Sequence, residues 1–105
     1  MNNNAIGLFD SGIGGASVLK ELLKIMPNEN YIFLSDSINN PYGDKDDEEL
    51  LKICEKNTDF LVSQNCKVIV IACNTASVRV ADILREKIKI PIFAIEPAYK
   101  MVYDY

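Results

Sequence analysis

Cys73, Asn74 and Thr75 follow Val68-Ile69-Val70-Ile71-Ala72 without interruption, so a thiol, an amide and a hydroxyl end an apolar run. Asp10 and Ser11 end the run Ala5-Ile6-Gly7-Leu8-Phe9 in the same way. These are the groups of proton-transfer chemistry. A thiolate acts as nucleophile or base, and a carboxylate orients a cation or moves a proton. The chain has no histidine, which removes the commonest general base and any Cys-His dyad within it. A helix beginning after Cys73 would set partial positive charge and free N–H groups beside the sulfur, favouring the thiolate. Each residue also has a plainer reading. Cys73 would serve as a small core residue, Asp10 as a turn former or N-cap, and Asn74 or Thr75 as a helix cap. Cys54 and Cys66 read as core cysteines, one on the inner stripe of a helix and the other before a strand without polar company.

Two further segments carry ligand-binding signals. Gly12-Ile13-Gly14-Gly15-Ala16-Ser17 contains G-x-G, but Ser17 stands at the third position of the dinucleotide fingerprint. Asp36 falls where a ribose-binding acid belongs. Against that, Asp10 directly before the turn would oppose a pyrophosphate, so a carboxylate or amino acid bound by the same N–H groups reads equally well. Pro41-Tyr42-Gly43 is either turn chemistry or part of the lining of a crevice. Asp44-Lys45-Asp46-Asp47-Glu48-Glu49 reads as a solvated helix start.

The elements that must position these residues alternate. Runs at 5–9, 31–34, 68–72 and 91–95 read as strands. The 68–72 run, rich in Val and Ile, is the pattern of a strand buried on both faces. Val18, Leu19, Leu22, Leu23 and Met26 define one helix, stopped by Pro27 and Asn28. Leu50, Leu51, Cys54, Thr58, Leu61 and Val62 define a second, with Asp46 and Glu49 as a capping-box-like start and fraying near Gln64 and Asn65. A third carries Val80, Ala81, Leu84 and Ile88 inward, and Glu96-Pro97 opens a fourth. This predicts an α/β fold: an open parallel sheet of about four strands with flanking helices, in flavodoxin-like order 2-1-3-4. In that order the chain reverses between strands one and three. Asp10 and Ser11 then face Cys73, Asn74 and Thr75 across one crevice, where ligands of open α/β sheets bind.

At 105 residues the chain is one domain or part of one, and its net charge of −4 argues against nucleic acid and anionic membrane partners. No apolar run approaches the roughly 20 residues of a membrane span, and the N-terminus lacks signal-peptide character. The cytoplasm is the expected location. Three cysteines at no metal-like spacing suit reduced thiols. Tyr99, Met101, Val102, Tyr103 and Tyr105 follow without a stop signal, so Tyr105 reads as a truncation point.

Asp10-Ser11-Gly12 with Gly14-Gly15, then Pro41-Tyr42-Gly43, Cys73-Asn74-Thr75-Ala76-Ser77 and Ile95-Glu96-Pro97 resemble, in order and spacing, the N-terminal part of the glutamate racemases. The resemblance implies cofactor-independent, metal-free interconversion of L- and D-glutamate for peptidoglycan synthesis. One thiolate takes the Cα proton and a thiol on the opposite face returns one. By carry-over, Cys73 is one of the pair and Asp10 assists proton transfer. Asp10, Ser11, Pro41, Tyr42, Gly43, Asn74 and Thr75 bind the amino acid. The second cysteine lies in a Gly-Cys-Thr-His segment beyond residue 105, so the short chain is expected to be inactive alone. Residues 1–97 would form the first of two lobes, lacking its C-terminal return, and 98–105 the start of the connection to the second. A homodimer is the implied assembly. Asp36-Ser37-Ile38-Asn39 replaces the common Asp-Thr-x-Arg, a departure bearing on partner contacts more than on chemistry. The competing readings are a nucleotide- or phosphate-binding α/β domain and a flavodoxin-like regulatory domain with Asp10 and Asp36 as a divalent-cation pocket.

Overall fold

The structure, a computed structural model, describes residues 4–12 and 14–95. The expected helix after Glu96-Pro97 lies outside the described residues, as do the lobe-connecting segment and Ile13 of the glycine turn. Strands β1 (Ile6–Asp10), β2 (Tyr31–Ser35), β3 (Val68–Ile71) and β4 (Ile92–Ala94) form one sheet in the order β2-β1-β3-β4. Every pairing is parallel, with Phe9 opposite Leu34 on one side and Ile71 on the other. The order is the 2-1-3-4 expected from the sequence, with the reversal between β1 and β3. Helices α1 (Ala16–Ile25), α2 (Asp47–Ser63), α3 (Asn74–Arg79) and α4 (Ala81–Lys87) supply the crossovers.

Strand alternation divides the core. Phe9, Ile69 and Ile71 face α2, α3 and α4, where Leu50, Cys54, Leu61, Ala76, Val80 and Leu84 are buried with them. Ile6, Leu8 and Val70 face the other way, toward Val18, Leu19 and Leu22 of α1. That second layer is thin. No residue of α1 is buried, and Leu23 and Met26, expected to point inward, are 45% and 37% exposed. Beside α1 an apolar groove of about 390 Å³ runs over Ile6, Val68, Val70, Phe93 and Ile95. Its walls are hydrocarbon, so it offers a packing surface and no chemistry.

The ends of α2 show how local sequence sets the frame. Asp46 is the N-cap, and its carboxylate accepts from the Glu49 N–H at 2.8 Å. At the other end the helix stops in a defined cap where fraying was expected. Asn65 adopts φ 61°, a left-handed conformation that asparagine tolerates. The N–H groups of Asn65 and Cys66 then bond back to Val62 and Leu61 in a Schellman arrangement. The inner stripe also differs from expectation. Val62 is 41% exposed, while Asn57 is buried.

Gly7 lies beneath this cap. A Cβ there would meet Cys66 Sγ at 2.9 Å and the Leu61 methyls at 3.1 and 3.2 Å. Gly7→Ala should therefore cost about 1–3 kcal/mol of stability. Cys66→Ala in the same protein should recover part of that loss. Urea unfolding of the single and double variants checks this, and strict additivity would remove the steric explanation.

The third helix was expected to be continuous and is broken. Val80, at φ −129° and ψ −5°, separates α3 from α4. The break falls at the end of Val78-Arg79-Val80, where two β-branched residues weaken the helix. It lies next to Arg79, whose guanidinium is fixed by the Asp47 carboxylate (Nε at 2.7 Å) and the Lys45 carbonyl (2.7 Å).

Candidate active site

The carboxyl ends of β1 and β3 are bound side by side, the Ala72 N–H donating to the Phe9 carbonyl at 2.9 Å. That pairing brings Asp10 and Ser11 against Cys73, Asn74 and Thr75. With Gly14, Ser17, Val18, Ala72 and Ile95 they line an open cleft of about 390 Å³ at the sheet edge. Within it the Cys73 thiol donates to Ser11 Oγ at 3.8 Å, and Ser11 Oγ donates to Asp10 Oδ1 at 3.4 Å. The Ser11 N–H also donates to Oδ1, at 2.7 Å. Thiol, hydroxyl and carboxylate thus form one chain of contacts. Asp10 and Cys73 are 8% and 6% exposed, buried on all but their cleft side.

Cys73 takes the N-cap position of α3 in an extended conformation, and no side chain caps the helix. Neither Asn74 nor Thr75 is spent on capping, which leaves Asn74 exposed and Thr75 half-buried at the cleft wall. Because α3 has only six residues, the positive end beside the sulfur comes from its first-turn N–H groups more than from a long macrodipole. Ser77 anchors this corner, its hydroxyl donating to the Ile71 carbonyl at 3.2 Å.

The glycine turn is shaped around Asp10. A Cβ on Gly15 would come within 2.9 Å of Asp10 Cβ and 3.1 Å of Ala72 Cβ, and one on Gly14 within 3.2 Å of Asp10 Oδ2. Ser35 Oγ donates to the Gly12 carbonyl at 2.7 Å, tying the turn to the end of β2. The carboxylate therefore stands inside the turn that a dinucleotide phosphate would need.

Asp36 is turned elsewhere. Its carboxylate accepts from Tyr42 Oη at 2.7 Å, Asn57 Nδ2 at 3.1 Å and Asn39 Nδ2 at 3.0 Å. Burial alone would raise this carboxyl. The hydrogen bonds from Asn57, Tyr42 and Asn39 outweigh burial and hold it below the usual carboxylate range. An acid so engaged is not presented to a ribose or a cation, and its donors come from none of the cleft residues. The stability it contributes is present above its unfolded value near pH 4 and lost as pH falls through the folded value. Wild-type protein should therefore exceed Asp36→Asn in stability at neutral pH, with the gap shrinking below about pH 4. Denaturant titrations across pH 2–7 check this (~5 units, spanning the carboxylate range), and a gap constant throughout would contradict it.

Pro41, Tyr42 and Gly43 do not line the cleft. Tyr42 is 2% exposed, and its ring joins the core with its hydroxyl on Asp36. Burial foremost, then the Asp36 contact, pushes that phenol far above its ordinary value, so it stays protonated. Pro41 and Gly43 are exposed at the same sheet edge, following a cis Asn40–Pro41 bond. Cys54 and Cys66 are both buried, and neither lines the cleft. Burial above all, with the interaction with nearby Cys73 adding to it, pushes the Cys54 thiol up to about 12, and burial also raises Cys66. Neither is an acid–base group near neutral pH. Sequence reasoning missed Asn57 and Ser35. An amide on the spacing of Leu50, Cys54 and Leu61 was the available signal for the first.

This fold and this cleft define an open α/β lobe with a thiol, a hydroxyl and a carboxylate in contact at the sheet edge. No protein-family model matches the chain. It is 50% identical over 104 residues to a glutamate racemase of Clostridium botulinum, covering 98% of this chain and 40% of that protein. A Francisella tularensis glutamate racemase solved with D-glutamate superimposes with a TM-score of 0.84 at 42% identity, over 90% of this chain and 36% of that one. The Escherichia coli glutamate racemase, solved with L-glutamate and the activator UDP-MurNAc-ala, gives 0.85 at 32% identity, over 96% and 39%. The chain is homologous to the glutamate racemases and corresponds to their N-terminal part. It spans about two-fifths of the length of these relatives.

Proposed function

We propose that this chain is the first lobe of a glutamate racemase, and that the whole protein interconverts L- and D-glutamate without a cofactor. The observation that carries the reading is the Cys73–Ser11–Asp10 chain in a strand-end cleft, on a sequence 50% identical to a glutamate racemase. The Cys73 thiolate takes the Cα proton and becomes a thiol. A thiol on the opposite face gives a proton to the same carbon and becomes the thiolate, which restores the balance for the reverse turnover. Asp10, reached through Ser11, assists the proton at sulfur. Ser11, Asn74 and Thr75 hold the amino acid, with Pro41, Tyr42 and Gly43 contributing through the loop backbone.

A single base that removes and returns a proton on one face gives exchange with retention. Among the described residues no other thiol reaches the cleft, and Cys54 and Cys66 are buried and raised. The second acid therefore belongs to the part of the protein beyond residue 105. The apolar groove beside α1 supports the same division, being the surface that a further part of the first lobe would cover. Supply of D-glutamate to peptidoglycan synthesis in the cytoplasm, and a homodimeric assembly, complete the proposal. The UDP-MurNAc-ala activator of the E. coli relative supports the cell-wall assignment.

Circular dichroism of L-glutamate solutions tests this. The whole protein should drive the optical signal to zero, the racemic end point, and the 105-residue chain should leave it unchanged. Inversion by the short chain would overturn the division of the site. A constant signal with both would overturn the racemase reading.

A further inference from the structure

Resting on the racemase reading, we propose that Asn57 is a positioning residue that sets the 41–43 loop, and through it the affinity for the amino-acid substrate. Asn57 lies on the inner stripe of α2 among Leu50, Cys54 and Leu61, each fully buried. An amide in such surroundings is costly unless its polar groups are paired. Here its Nδ2 donates to Tyr42 Oη at 2.8 Å and to Asp36 Oδ2 at 3.1 Å. Tyr42 Oη in turn donates to Asp36 Oδ2 at 2.7 Å. The triangle closes between the residue after β2, the 3₁₀ turn Tyr42–Asp44 and the middle of α2.

Phenylalanine at 42 and leucine at 57 would fill the same volume without desolvating polar groups. A closed network adds one defined position, because the buried hydroxyl is satisfied in a single placement of the ring. What it places is the loop. Gly43, next to the pinned ring, is exposed, with open space where a side chain would stand. Two links join the triangle to the cleft. The Asp36 N–H donates to the Asp10 carbonyl at 2.8 Å. Asn40 Nδ2 lies 3.8 Å from the place of a Gly12 Cβ, so the loop borders the glycine turn. Asn57 itself touches none of the cleft residues and acts only through what it holds.

The test uses the whole protein and the variants Asn57→Leu, Tyr42→Phe and their combination. KM for glutamate should rise about tenfold in each single variant, with kcat within about threefold. The double variant should rise no further than the weaker-binding single one, because either change opens the triangle. An Asn57→Leu protein that melts earlier but keeps its KM would make the residue purely structural and overturn the inference. Multiplying effects in the double variant would overturn it too. If Asn57→Leu fails to fold, Tyr42→Phe decides alone, an unchanged KM being the contrary result. Wild-type protein that leaves glutamate unchanged would overturn the racemase reading and this inference with it. Wild-type turnover with an unchanged KM in the variants overturns the inference alone.

Discussion

Replacing Cys73 by alanine in the whole protein should lower racemisation by at least about 10²–10⁴-fold, the range expected for loss of a general acid–base group. The fold should survive, because the side chain is small and sits at the end of β3 on the cleft wall. Its one side-chain hydrogen bond is the 3.8 Å contact to Ser11, too weak to organise the corner. Cys73→Ser should be nearly as damaging. Serine keeps a small polar group at this position, but an alcohol is a far weaker acid than a thiol and is rarely ionised. The pair of variants therefore separates loss of the polar group from loss of acidity. Steady-state rates in both directions, with a thermal melt of each variant, provide the check. Wild-type turnover in Cys73→Ala would remove this thiol from the mechanism.

Asp10→Asn should lower kcat by about 10²-fold with KM within a few-fold. The amide is close in shape to the carboxylate, and its oxygen can still accept the Ser11 N–H that Oδ1 accepts at 2.7 Å. The glycine turn packed around Asp10 is accordingly preserved. What is lost is the negative charge and the capacity to take a proton at the end of the Cys73–Ser11 chain. A rise in KM with kcat unchanged would make Asp10 a substrate-positioning group instead.

Asp10, Ser11, Cys73, Asn74 and Thr75 were legible because each follows an apolar run whose strand character is unambiguous. Parallel α/β topology then leaves few ways to order four strands, and the observed order juxtaposes the two clusters. The side-chain placements were less legible, because they depend on which way a side chain turns after its element has been placed. Tyr42 sits on a loop at the sheet edge, yet its ring turns into the core below, which the turn-rich sequence around it does not signal. Asp36 looked like a ligand-binding acid at a strand end, yet three donors nearby claim it. Asn57 drew no notice because composition marks an asparagine as a surface residue, and only the partners across the core explain its burial. The break at Val80 lies beside a tertiary tie at Arg79, which helical periodicity does not encode. Leu23 and Met26 repeat at the spacing of a buried stripe while the described residues supply no layer to cover them.

The central claim is that Cys73 is one of two acid–base groups working on opposite faces of the substrate carbon. Proton NMR of the first turnovers of the whole protein in D₂O, started from each enantiomer of glutamate separately, tests it most directly. The account predicts deuterium at Cα of the newly formed enantiomer in both directions, with the remaining starting enantiomer still protonated early in the reaction. Cys73→Ala should lose this product in both directions. Product that keeps its original proton would mean a single group serving both faces, and would contradict the account.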